Sequence, residues 1–108
     1  MDRALPIVAD PTFTKAVLRL SLARRTDVYI ALRAIERGDE QLTLDQGNVY
    51  HFDLTWGSGR SYRLLLARGT KWEREVALAV GAFWVDAGGK TSATRINAAR
   101  RAWEAWSP

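Results

Sequence analysis

Hydrophobic and polar positions change their period along this chain. Ala4–Ala9 is a short apolar run and predicts a first strand. Asp10–Pro11 then reads as a helix start, since Asp caps and Pro suits the first helical position. Phe13, Ala16, Val17 and Leu20 follow at helical spacing. After a break near Ala23–Arg25, Thr26–Asp27 predicts a second helix with Val28, Leu32 and Ile35 on one side. Gly38 is its expected stop. Gln41–Gln46 reads as a connection or a short edge strand.

From Val49 the period falls to two. Tyr50, Phe52, Leu54 and Trp56 alternate with Val49, His51, Asp53 and Thr55, which predicts a strand over Val49–Trp56. Tyr62–Arg68 and Glu75–Trp84 predict two more, with Tyr62, Leu64, Leu66, Val76, Leu78 and Val80 inward. Gly57-Ser58-Gly59 and Gly69–Arg74 mark the hairpins between them. A last helix follows VDAGGKTS, capped by Thr91 or Ser92, with Ile96, Ala99, Trp103 and Trp106 on one face. Short connections force antiparallel neighbours. The expected fold is therefore one α+β domain over residues 1–108: a short N-terminal strand, a helical hairpin, a three-stranded antiparallel meander and a C-terminal helix. The helices are expected against one sheet face.

On the other face this reading gathers His51, Asp53 and Arg63 over a floor of Ala77, Ala79 and Gly81. Small residues make a hollow, and a hollow holding titratable groups is a candidate site. Charge points the same way. Residues 1–54 carry a net −1 and residues 55–108 a net +5, so the cationic half begins beside His51 and Asp53, supplies Arg63 and suits a polyanion such as RNA.

Composition removes other chemistries. The 108 residues are 47% hydrophobic, enough for a core without staples, and contain no cysteine and one histidine. Disulfide frameworks and thiolate or His-rich metal sites are excluded; no metal or cofactor is expected. No apolar run approaches the ~20 residues of a membrane span, and no signal peptide is visible, so the expected address is the cytoplasm. Gly88-Gly89-Lys90-Thr91 resembles the end of a phosphate loop, but Trp84 stands where that pattern needs its first glycine.

The whole chain resembles the RelE/ParE/HigB superfamily of toxins from toxin–antitoxin pairs. The order of elements carries the resemblance, with Phe13-Thr-Lys-Ala-Val-Leu-Arg-Leu, Tyr62-Arg63-Leu64-Leu65-Leu66, Ala77-Leu-Ala-Val-Gly81 and the HigB-like tail Lys90-Thr-Ser to Arg100-Arg101. It implies a RelE-like fold, an antitoxin partner and metal-independent cleavage of mRNA, with the ribosome ordering the substrate. His51 would move the proton, Asp53 orient it, and Arg63 hold the scissile phosphate. Arg60, Arg68, Lys71 and Lys90 would hold flanking phosphates. The strand Tyr50-His51-Phe52-Asp53 departs from the basic strand usual in the ribonuclease branches. A gyrase-inhibiting toxin without catalysis, or a RelE-like fold reused for protein interaction in a phage or mobile element, are the other readings. His51 and Asp53 also fit a surface pair, and Arg63 a brace through a carboxylate.

Overall fold

The computed structural model describes residues 4–57 and 59–107. Ser58, in the predicted first hairpin tip, lies outside them. Among the described residues the elements are β1 (Ile7–Ala9), α1 (Pro11–Leu18), α2 (Leu22–Arg37), β2 (Thr43–Gln46), β3 (Val49–Leu54), β4 (Arg60–Lys71), β5 (Arg74–Asp86) and α3 (Ala93–Ala105). The class is α+β. The five strands form one sheet in the order β1-β5-β4-β3-β2. Strand β1 runs parallel to β5 and the other neighbours are antiparallel. None of the described helices is long and apolar enough to cross a membrane.

The helix starts follow local chemistry. Asp10 accepts from the Thr12 N–H, with Pro11 first in α1. The second helix begins earlier than Thr26, because the Ser21 hydroxyl accepts from the Arg24 N–H. Arg25, inside the expected break, instead closes α1 by donating to the Leu18 and Leu20 carbonyls. Gly38 ends α2 in the left-handed region, φ 81°. At α3 the cap is Ser92.

The sheet has a core on each face, which corrects two expectations. Helices α1 and α2 cover one face with Phe13, Val17, Val28, Leu32 and Ile35, packed on Tyr62, Leu64, Leu66, Ala77 and Ala79. Helix α3 covers the opposite face with Ile96 and Ala99, packed on Val49, Leu65, Leu78 and Val80. The helices therefore do not share a face, and the inward set of β5 is inverted. Ala77 and Ala79 lie under α1 and α2, where small side chains let the helices approach; Leu78 and Val80 meet α3. Alternation alone leaves that choice open, since both faces of β5 are covered. A register shift between Leu65 and Leu66 pairs Leu65 with Gly81 and Leu66 with Ala79, leaving Val80 extra. Of the floor expected under His51 and Arg63, Ala77 and Ala79 lie on the opposite face, and only Gly81, paired with Leu65, stays on theirs. Phe13 is only 1% exposed, and burying such a ring contributes about 1.5–3 kcal/mol.

The β4–β5 hairpin holds α3 down. Its two-residue tip is Trp72-Glu73, both at positive φ, 53° and 63°, the primed-turn geometry that normally takes Asn-Gly. Trp72 is offset by an edge contact with Trp106 at 4.9 Å. Glu73 is exposed. Glu73→Gly should therefore raise stability by about 1 kcal/mol, seen as a higher urea midpoint at unchanged slope. Gly69 lies so close under Trp103 that a Cβ there would sit 2.8 Å from the indole. Lys71 donates to the Trp103 and Trp106 carbonyls at the end of α3. That is the favourable place for a cation on a helix dipole. Lys71→Met should cost about 1–2 kcal/mol, with α3 amides losing hydrogen-exchange protection first.

Candidate active site

Strands β3 and β4 do bring His51, Asp53 and Arg63 to one face. Asp53 pairs directly with Arg63, and His51 with Leu65, so all three project toward the α3 side with Leu65. Their environment differs from the expected open hollow. Arg63 is only 1% exposed. Its Nε donates to Asp53 Oδ1 at 2.8 Å and its Nη2 to Asp53 Oδ2 at 2.9 Å, a bidentate pair. Its Nη1 donates to the Thr91 hydroxyl at 3.1 Å. The Asp53 hydrogen bonds hold the guanidinium above its ordinary pKa, against the opposing effect of burial. Arg63 is thus a brace between β3, β4 and the start of α3, not an outward cation with few packing duties.

His51 is oriented by a residue absent from the sequence reading. Its Nδ1 lies 3.0 and 2.9 Å from the two Asp45 oxygens. Asp45 is the residue skipped where the β2–β3 register shifts between Leu44 and Gln46, and a bulge of this kind re-aims a side chain. With Nδ1–H donating to Asp45, Nε2 becomes the acceptor nitrogen. It stands 3.9 Å from Asp53 Oδ2, beyond hydrogen-bond distance. Asp45 therefore takes the orienting role expected of Asp53, whose own oxygens are spent on Arg63. The side chains of Asp45 and His51 are 9% and 14% exposed.

The flanking cations divide. Arg68 pairs with Glu75 at the surface, and Lys71 donates to the α3 carbonyls, which takes it away from the phosphate role expected of it. Arg60 and Lys90 are exposed and form no ion pair among the described residues. Arg100, on α3, supplies a further cation. Its guanidinium lies against Gly47, where a Cβ would come within 2.6 Å of Nη2, at the turn joining the strands of Asp45 and His51. The one sequence signal for Asp45 was its place in Gln41–Gln46, just before an alternating strand; no periodicity shows a bulge.

The arrangement is a chain of contacts, Asp45–His51–Asp53–Arg63–Thr91. Chemically it offers one oriented imidazole able to accept a proton at Nε2, and a buried ion pair that locks the strand behind it. Comparisons with protein families, curated proteins and solved structures find no match for this chain.

Proposed function

We propose that this chain is the toxin of a toxin–antitoxin pair, of the RelE/ParE/HigB kind, and that it cleaves mRNA on the ribosome without a metal. The observation that carries the reading is the imidazole of His51, held through Nδ1 by Asp45 on the sheet face it shares with Arg63. The element order adds support: a first strand beside the last, a helical hairpin on one face and a C-terminal helix on the other. In this reading Nε2 takes the 2′-OH proton and the 2′-oxygen attacks phosphorus. The P–O5′ bond breaks, leaving a cyclic phosphate, and the departing oxygen takes a proton from water. Arg63 acts by positioning Asp53 and β3, and Arg100, whose guanidinium lies at the β2–β3 turn, is the cation this reading assigns to the phosphate. The partner is an antitoxin protein, and the cytoplasm is the place of action.

One observation favours a binding toxin of the gyrase-inhibiting kind, or a reused fold. Asp45 and Asp53 flank the imidazole, and their charge opposes an incoming phosphate. Induced expression with mapping of mRNA ends decides between them. New 5′ ends absent in His51→Gln support the nuclease. Growth arrest with intact messages favours the binding toxin, and normal growth with soluble protein overturns both toxin readings.

A further inference from the structure

At the open end of the sheet a ladder of rings and guanidinium groups runs from α2 to the start of β4. Arg24 lies 5.1 Å from the Trp56 ring centre and 5.3 Å from that of Trp84. Arg60 lies 4.6 Å over the same Trp84 ring. Tyr62 and Trp56 meet Trp84 edge-on at 5.2 and 5.8 Å, and the Trp56 indole N–H is held by Asp27 at 2.9 Å. The ladder is thus rigid on its inner side. Its outer rung is the exposed Arg60, beside an open hollow of about 570 Å³ lined by Arg60, Trp84, Val85, Asp86, Gly89 and Lys90.

We infer that this hollow is a docking platform for single-stranded nucleic acid, with a base stacked on the Arg60 plane and the backbone phosphates on Arg60 and Lys90. A guanidinium held over an indole on one side keeps its other side for a base and its N–H edge for phosphate. Lys90 follows Gly89, whose N–H is bound to the Asp86 carbonyl at 2.8 Å, so a turn holds the lysine at the rim. Asp86 is the one acid on the lining and weakens the field there. Two features place the platform outside the His51 cluster. Tyr62 and Trp84 belong to the core under α1 and α2, and His51 faces the α3 side. The inference rests on the nucleic-acid reading above for its ligand class, and on none of its chemistry.

The test is fluorescence anisotropy of a labelled oligo(dT) of about a dozen residues, over a salt series. This probe lacks the 2′-OH, so binding is read apart from cleavage. Arg60→Ala and Lys90→Ala should each weaken binding about three- to ten-fold and reduce the salt slope by about 0.7. Arg60→Lys should lose affinity while keeping the slope, because the charge stays and the plane goes. Asp86→Asn should strengthen binding, and Arg101→Ala, an exposed cation on α3, should change it little. The inference falls if wild type does not bind at low salt. It also falls if Arg60→Ala and Lys90→Ala lose no more than Arg101→Ala, or if Arg60→Lys matches wild type. Cleavage without oligo(dT) binding would overturn the platform alone. Binding through Arg60 and Lys90 without cleavage would overturn the nuclease alone.

Discussion

Arg63→Ala is expected to lower unfolding free energy by about 3 kcal/mol or more, because it leaves a carboxylate without its partner in a mostly buried place. Arg63 is 1% exposed and the Asp53 side chain 24%. The substitution removes both bidentate hydrogen bonds and the contact to Thr91. It also opens the space of a long side chain. For a domain of this size that loss is a fall of about 10–20 °C in Tm. Urea unfolding of wild type and variant measures it; a loss below about 1 kcal/mol would mean that solvent already serves Asp53 and that the pair braces nothing. The double variant Asp53→Leu with Arg63→Met is the companion. Replacing a buried pair by apolar groups is often neutral or stabilising, so stability should return toward wild type. This reverses the expectation from alternation alone, under which an outward arginine would be removed at little structural cost. Loss of activity in Arg63→Ala by itself therefore says nothing of phosphate binding, whereas the double variant, if folded, tests it.

His51→Gln is expected to lower RNA cleavage by about 10²- to 10⁴-fold, the usual contribution of a positioned proton acceptor. Glutamine keeps polar volume and can still contact Asp45, but it cannot accept the proton. Binding of RNA or ribosomes should change little, since it rests on cations elsewhere. Asp45→Asn should lower the rate less, because the imidazole remains while its orientation and the tautomer with Nε2 free are weakened. Rates of both variants, measured over a range of pH beside their binding affinities, check the assignment. Equal cleavage by His51→Gln and wild type would remove the imidazole from the mechanism. A full rate in Asp45→Asn would leave Asp45 a structural partner only.

Much of this was legible along the chain. The Asp10–Pro11 start, the Gly38 stop, the antiparallel β3–β4–β5 meander and the shared face of His51, Asp53 and Arg63 all follow from local rules. Capping, glycine at positive φ and the period of two act within a few residues, so neighbours in sequence suffice to specify them. The exposure of Trp72, at 46%, and the packing of Trp103 and Trp106 under α3 also agree with their places at a hairpin tip and on a helix stripe.

Only the tertiary structure decided which face α3 takes, and with it the character of the site. A strand covered on both sides reads as apolar on both sides, so nothing in Glu75–Trp84 tells whether Ala77 or Leu78 faces a given helix. The register shift opposite Leu65 and the bulge at Asp45 each add one residue to one strand. A sequence carries no mark of that, because the extra residue is defined by the partner strand. These long-range choices bury Arg63 against Asp53 and Thr91, give His51 to Asp45, and spend Lys71 on the end of α3. The residue types of a site could be read from the alternation of β3 and β4; their protonation partners, burial and freedom to act were set by contacts between segments far apart in the chain.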